Sequence, residues 1–203
     1  GTGLGKPLKI INHLVKEDIP IAIASLGPKS VETTAEIADA WLPAFYTPEA
    51  ADAVWGESLK AGKKLRDPNR AVLDIFAGGT VGIGAGMEPH REKGRAGAAL
   101  YVGGMGARSK NFYNDIFSKS GYAEEAKLIQ DLYLSGKKDA AAAAIPDDYL
   151  AKSSLIGEEA FVTDRINALK ESGVTTLNVS FIGSDPSERI HQCERLKNLV
   201  EKL

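Results

Sequence analysis

A continuously apolar run that passes directly into a helical pattern constrains the fold of this chain more than any other feature. Ile19–Ala24 is apolar at every position, which is typical of a parallel strand covered on both faces. Gly27 and Pro28 follow, and Val31 and Ala35 recur at helical spacing. Because the first N–H groups of a helix are free and lie at the positive end of its dipole, the intervening loop is predicted to bind an anion, above all a phosphate.

The strand-then-helix pattern recurs along the chain, and it predicts parallel strands joined by crossover helices. Thr47 and Pro48 provide a plausible N-cap and first residue for the second helix. The predicted elements after the first pair are a strand at Asp39–Tyr46, a helix from Pro48 to about Leu65, a strand at Ala71–Ala77, a helix between Glu88 and Tyr101, a helix through Phe161, Ile166 and Leu169, a strand at Thr176–Ile182 and a helix at Pro186–Leu203.

The long interval between the third and fourth predicted strands favours a barrel over a small open sheet. An open sheet rarely has a single crossover of about ninety residues, whereas a (β/α)8 TIM barrel accepts insertions in its βα loops, on the face where active sites lie. We therefore expect one α/β domain over residues 1–203 that corresponds to strands five to eight of a TIM barrel, with an insertion at about residues 86–157. The loop-like start at Gly1 suggests an interior point of a longer protein.

Composition excludes several functional classes. The chain has 203 residues, of which 43% are hydrophobic, so it can bury one ordinary core. A net charge of −2 without a long basic run argues against nucleic acid or an acidic membrane as the main partner. The single Cys193 cannot form an internal disulfide, and no Cys/His set has zinc-like spacing, so no metal is expected and a reducing, cytoplasmic setting is favoured. No apolar run reaches the roughly 18 residues of a membrane span.

Several motifs together indicate a protein family far more specifically than any one of them does alone. They are Gly3–Pro7, Ile21–Val31, Ala35–Pro43, Leu100–Gly106, Asn111–Tyr113, Gly121-Tyr122, Ile156–Glu159 with Arg165, and Glu171–Leu177. This set, which extends over nearly the whole chain, resembles the second half of luciferase-like monooxygenases, most of all the branch that uses coenzyme F420.

The resemblance implies an oxidoreductase that transfers a hydride between coenzyme F420 and a small organic substrate. The cofactor would supply the hydride chemistry, and the protein position and electrostatics. FMN, with monooxygenase activity, is the alternative, and a homodimer is the expected assembly. A non-catalytic half-barrel, retained for assembly or ligand binding, is the competing class of function.

The resemblance also implies which loop holds the cofactor. In this family the loop that matches Ser25-Leu26-Gly27-Pro28, with Lys29 beside it, approaches the cofactor phosphate through backbone N–H groups. Gly27 suits this role because, without a side chain, it lets the backbone come close to a ligand. The alternative is an ordinary strand-to-helix turn. The family's other phosphate-contacting loop would precede the first residue, so the cofactor site is expected to be incomplete in this chain, and no catalytic residue is assigned.

The substrate pocket is expected where glycines and aromatic residues alternate. Tyr101 and Met105 lie in a glycine-rich segment, and Phe112 and Tyr113 follow it, a combination that suits an apolar ligand. The alternative is a helix C-cap followed by packing aromatics. Earlier in the chain, Gly78–Gly82 does not match the dinucleotide fingerprint and is predicted to be a flexible loop at the barrel mouth.

The remaining candidate residues have simpler structural explanations. His90, Arg91 and Arg95 could bind an anion, although a solvated helix face is favoured. Cys193 is expected to be a small buried apolar residue.

A difference from the sugar-phosphate dehydrogenases of the same superfamily narrows the range of expected substrates. Those enzymes have threonine and lysine residues that hold the substrate phosphate where this chain has Ala44 and Thr47. A neutral pair provides no point charge for a phosphate. A phosphorylated sugar is therefore disfavoured.

Overall fold

The computed structural model describes Gly5 and residues 11–13, 15–16 and 19–203. The motif Gly3–Pro7 therefore lies outside the described residues except for Gly5. The described part contains five strands: β1 (Ala22–Ala24), β2 (Ala40–Leu42), β3 (Asp74–Ile83), β4 (Leu155–Gly157) and β5 (Thr176–Phe181).

Nine α-helices accompany these strands in the described part of the chain. They are α1 (Pro28–Ile37), α2 (Glu57–Leu65), α3 (Gly94–Gly104), α4 (Phe112–Phe117), α5 (Ala123–Leu134), α6 (Lys138–Ala143), α7 (Asp147–Lys152), α8 (Glu159–Glu171) and α9 (Pro186–Val200). A π-helical turn at Asp52–Gly56 leads into α2, and a 3-10 turn at Glu88–Lys93 leads into α3. The helix predicted between Glu88 and Tyr101 is thus a 3-10 turn followed by an α-helix, and the last helix ends before Leu203.

All five strands are parallel, with β3 at the centre of the sheet. Ile75 pairs with Trp41 of β2, and the Ile75 carbonyl accepts a hydrogen bond from the Thr175 N–H at 3.1 Å. Strands β2 and β5 therefore lie on opposite edges of β3. The far end of β3, around Gly82, pairs with β4. The predicted parallel α/β fold is confirmed.

The prediction of a flexible loop at Gly78–Gly82 is wrong, because these residues continue β3. A Cβ at Gly78 would lie 2.5 Å from the Asn178 carbonyl oxygen, and a Cβ at Gly79 would lie 2.5 Å from the Ser153 carbonyl oxygen. The glycines therefore allow neighbouring backbone to approach β3 closely. Strand β4 was missed because three residues are too few for a recognisable pattern.

Helices pack on one face of the sheet. Alternate residues of β3, including Ile75, Val81 and Ile83, lie in a core with α8 and α9. On β5 the other alternate positions are exposed, and the hydroxyls of Thr80 and Ser180 lie 3.3 Å apart there. Parallel sheets normally have both faces covered. A sheet that is covered by helices on one face and open on the other is expected of one wall of a barrel.

A second hydrophobic core lies within the segment between β3 and β4. It is built from α3 and from the helices up to α7, with Val102, Phe117, Ile129 and Tyr149 almost fully buried. None of the helices in the described ranges is long and apolar enough to cross a membrane. Cys193 is exposed on α9, so the expectation that it is buried is wrong. The buried residues of α9 are instead Gln192, Leu196 and Leu199.

Candidate functional site

Two tryptophan side chains form hydrogen bonds with the loop between β1 and α1. The Trp41 indole donates a hydrogen bond to the Ser25 carbonyl at 3.0 Å, and the Trp55 indole donates to the Leu26 carbonyl at 3.2 Å. Both indoles are almost fully buried. Because two successive carbonyls of the loop are fixed towards the core, the loop has a defined shape at the carboxyl end of β1.

These tryptophans belong to a compact aromatic group that includes Tyr46. The rings of Trp41 and Trp55 meet edge to face at 5.3 Å, and Tyr46 stacks on Trp55 at 5.7 Å. The Tyr46 hydroxyl donates a hydrogen bond to the Ser172 Oγ at 2.9 Å. Burial raises the pKa of Tyr46, and the bond to Ser172 offsets this only in part. Tyr46 therefore stays a neutral phenol, and its hydrogen bond connects this aromatic group to the end of α8.

The amino end of α1 presents free backbone donors to the loop. The first hydrogen bond of the helix runs from the Val31 N–H to the Gly27 carbonyl at 2.9 Å, so the N–H groups of Lys29 and Ser30 have no partner inside the helix. The Ser30 hydroxyl donates back to the Gly27 carbonyl at 2.8 Å. No side chain caps this end, and the first turn has no acidic residue. The positive end of the helix dipole is thus not balanced by a capping side chain or by an acidic residue of the first turn.

The side chains of the predicted loop residues are occupied elsewhere. The Ser25 hydroxyl is buried and lies 2.8 Å from the Thr34 hydroxyl. The Lys29 ammonium group pairs with Glu32 at 2.7 Å. An anion at this loop would therefore meet backbone N–H groups rather than side-chain charges.

At Gly27 the constraint on a larger residue is the nearby Phe112 ring and not the backbone conformation. Its φ of −74° and ψ of 150° are open to any residue. A Cβ at this position would lie 3.2 Å from Cε1 of Phe112. The structure therefore brings Phe112, predicted to line the substrate pocket, beside the predicted phosphate loop.

Three further rings form a cluster at the carboxyl end of β2. Phe45 lies 5.8 Å from Tyr101 and 5.4 Å from Tyr113 between ring centroids, and the two tyrosine rings lie 4.8 Å apart. Two of the predicted pocket residues are thus in contact with each other. Met105 follows α3 and is 48% exposed.

Phe45 was not predicted as a site residue. Its φ of 59° is the left-handed conformation, which is rare for a bulky side chain and costs roughly 1–2 kcal/mol. Such strain persists where packing enforces it, commonly at functional sites. The sequence carries no signal for this conformation.

A cavity of about 330 Å³ opens beside this cluster. Phe45, Tyr101 and Tyr149 form its aromatic walls, and Gly78 and Gly79 contribute backbone without side chains. Burial raises the pKa of Tyr149, so that wall stays uncharged at neutral pH. The cavity suits a small apolar molecule.

Asn111 joins the two helices that carry these rings. Its buried side chain accepts hydrogen bonds from the N–H groups of Tyr113 and Asn114 and donates to the carbonyls of Tyr101 and Val102, both at 3.0 Å. Asn111 is thus the N-cap of α4 and also hydrogen-bonds to the end of α3. We call these two sets of hydrogen bonds together the Asn111 clasp. Sequence reasoning used it only as part of a motif.

We expect Asn111→Ala to lower the free energy of unfolding by ~2–3 kcal/mol, because it removes the cap of α4 and the side-chain donors to the Tyr101 and Val102 carbonyls, of which only Val102 keeps a second donor, from Asn114. Denaturant unfolding measures this value. Asn114→Ala is the matched control for lost contacts to Val102, since it leaves the cap intact. A loss below about 0.5 kcal/mol for Asn111→Ala would contradict the clasp.

The predicted alternatives for Arg91 and Arg95 are both wrong. Arg91 donates to the Ile156 carbonyl and lies 4.5 Å above the Phe161 ring. Arg95 pairs with Glu92 and Asp147. These arginines join the segment after β3 to β4 and α7, so they are neither a solvated face nor free to bind an anion. Among the described residues, no three His, Cys, Asp or Glu side chains converge as a metal site.

The family model for luciferase-like monooxygenases matches residues 5–176. The chain belongs to this family. A Mycobacterium tuberculosis protein assigned as a coenzyme F420-dependent oxidoreductase is 36% identical over 188 residues, which are 88% of this chain and 52% of that protein. The 5,10-methylenetetrahydromethanopterin reductase of Archaeoglobus fulgidus is 26% identical over 191 residues, or 91% of this chain and 54% of that protein.

Solved structures agree on the fold. The coenzyme F420-dependent tetrahydromethanopterin reductase of Methanopyrus kandleri superposes with a TM-score of 0.60 at 22% identity, over 85% of this chain and 47% of that one. An F420-dependent secondary alcohol dehydrogenase, solved with an F420–acetone adduct, also gives 0.60 at 14% identity, over 91% and 49%. The chain therefore spans about half the length of the relatives it matches, and the prediction of a luciferase-like barrel fold covering part of the barrel is confirmed.

Proposed function

We propose that this chain is the cofactor-phosphate part of a cytoplasmic oxidoreductase that transfers a hydride between coenzyme F420 and a small organic substrate. Family membership supports the class of reaction, and the names of the relatives support F420 over other cofactors. The structural observation that carries the proposal is the uncapped amino end of α1 above the two tryptophans.

The residues present fit a phosphate group. Free N–H groups at Lys29 and Ser30, an uncapped dipole and the absence of an acidic residue in the first turn together favour an anion. The loop is fixed by Trp41 and Trp55, so binding would require little ordering of the chain. Leu26, Gly27 and Pro28 complete the loop, with Gly27 leaving space beside Phe112.

When bound, the deazaflavin supplies the two-electron hydride chemistry. The residues of this chain hold its phosphate end and wall an adjacent pocket. Phe45 and Tyr101 line that pocket, Tyr113 packs against both of their rings, and Phe112 lies beside Gly27 of the loop. Met105, which follows α3 and is half exposed, is proposed to contact the substrate from the edge of the pocket.

The proposed substrate is small and carries no phosphate at the end of β2. Ala44 provides no charge, and Thr47 is only 2% exposed, so its hydroxyl is not available to a ligand. The aromatic cavity instead suits an apolar or weakly polar molecule.

FMN is the alternative cofactor, because it presents a ribityl phosphate to such a loop as F420 does. Calorimetric titration of the purified protein with each cofactor distinguishes them. We expect saturable binding of F420 that is at least tenfold tighter than that of FMN. Tighter binding of FMN would support the monooxygenase alternative, and binding of neither would contradict the proposal that the α1 loop of this chain holds a cofactor phosphate.

We also propose that the protein associates in solution as a homodimer. Strand β1 pairs only with β2, and β5 pairs only with β3, so the described sheet has two open edges and one open face. Ile19 and Ile21 beside β1 are 76% and 62% exposed. Open edges and exposed apolar residues promote association. Sedimentation velocity should give a mass near twice the 21.6 kDa of the chain, and a stable monomer at high concentration would contradict this.

A further inference from the structure

A cavity of about 710 Å³ lies at the carboxyl ends of β3 and β5, away from the loop at α1. Met87 after β3 and Phe181 at the end of β5 contribute apolar surface. His90 and Lys93 come from the 3-10 turn, and His191 from α9. A cavity of this size accommodates an organic ligand, and it lies at the carboxyl ends of the strands, which is the end of a barrel where ligands bind.

Three of the six polar residues in the lining, Ser184, Glu188 and Gln192, already have partners. Gln192 is buried, and its amide accepts from the Ile83 N–H at 2.7 Å and donates to the Ile83 carbonyl at 3.3 Å. The Glu188 carboxylate accepts from the Ser184 N–H at 2.7 Å and the Ser184 hydroxyl at 3.0 Å. These bonds fix α9 against β3 and the loop after β5. They therefore hold His191 at the cavity.

The other three polar residues have free donors. Within the described residues, no side-chain hydrogen bond or ion pair involves Lys93, His90 or His191. An ammonium group is donor only, and each imidazole provides at least one N–H. Glu188 is the single carboxylate of the lining, and Arg189 lies next to it beside Gly183. The free groups thus suit a ligand that only accepts hydrogen bonds.

We propose that this cavity binds the carboxylate of a small organic acid, with Lys93, His90 and His191 as donors and Phe181 and Ile182 against its apolar body. A bound metal ion is the competing use of two imidazoles and a carboxylate. However, the described His, Cys, Asp and Glu residues form no metal-binding group of three. The proposal goes beyond the hydride-transfer function and does not depend on which cofactor the α1 loop binds.

Histidine NMR tests the proposal directly, because the chain has three histidines and two of them line the cavity. Benzoate serves as the probe, and benzamide is its neutral counterpart of the same shape. We expect benzoate to shift the imidazole signals of His90 and His191 with a Kd of about 1 mM or below, whereas exposed His13 stays unchanged. Benzamide should bind at least tenfold more weakly. Equal shifts with both probes, or none with benzoate, would overturn the proposal.

A lysine variant separates charge recognition from apolar binding. Lys93 is exposed, so Lys93→Met should fold normally, and we expect it to weaken benzoate binding by about tenfold. Lys197→Met is the matched control, because Lys197 lies on α9 outside the cavity lining and pairs with Glu201. It should leave the benzoate affinity unchanged. If both variants bind benzoate like the original protein, Lys93 is not part of a carboxylate site and the proposal fails.

Discussion

Replacing Gly62 by alanine is expected to lower the free energy of unfolding by roughly 3 kcal/mol. Alanine usually stabilises a helix interior relative to glycine, by about 1 kcal/mol. Here, however, a Cβ would lie 2.0 Å from the Glu32 carbonyl oxygen and 2.7 Å from the Ala35 Cβ. Because backbone cannot move aside as a flexible side chain does, α1 and α2 would have to separate.

Gly97→Ala is the matched control for this change. Gly97 also lies inside a helix, but a Cβ there has no atom within 4 Å. We expect this variant to be stabilised by up to about 1 kcal/mol. Denaturant unfolding of the two variants compares them directly. Similar effects of both substitutions would show that the close contact of α1 with α2 is not what Gly62 provides.

The second large effect concerns cofactor affinity. Gly27→Val should weaken F420 binding by at least about tenfold, because its side chain would collide with Phe112 at the loop that presents the free N–H groups. The backbone angles at Gly27 suit valine, so the fold should persist. Fluorescence titration with F420 measures the affinity, and circular dichroism checks the fold.

Two further variants identify the cause of that loss. Lys29→Met should change the affinity by less than about threefold, because the ammonium group pairs with Glu32 and the loop is proposed to act through its backbone. Phe112→Ala, combined with Gly27→Val, removes the collision. Restored affinity in the double variant would confirm that space at Gly27 matters, whereas unchanged affinity in Gly27→Val alone would remove this loop from the cofactor site.

Much of the fold could be predicted from local patterns. The apolar runs before Gly27 and around Trp41 mark β1 and β2, although each strand is shorter than its run because only a few residues pair. The glycines of β3 misled the prediction, since their function depends on Asn178 and Ser153, about 75 to 100 positions later in the chain. Such long-range contacts leave no local pattern.

In the candidate site, too, local features could be predicted from the sequence and long-range contacts could not. The glycine and the helix start at the α1 loop are local features, so the sequence indicates them. The support of that loop by Trp41 and Trp55, and the clasp formed by Asn111, depend on distant partners. The chain has two tryptophans, both following the loop. Their indole donors could have suggested a buried hydrogen-bonding role, but not which carbonyls they hold.

Those two tryptophans provide the most direct measurement of the central claim, which is that the α1 loop holds the phosphate end of F420. Trp41 and Trp55 lie under the loop and account for all tryptophan emission of the chain. Because both indoles donate to carbonyls of the loop, F420 bound there should reduce this emission, with the same Kd as calorimetry, and Gly27→Val should weaken that binding about tenfold. F420 that binds by calorimetry with undiminished tryptophan emission would contradict the claim.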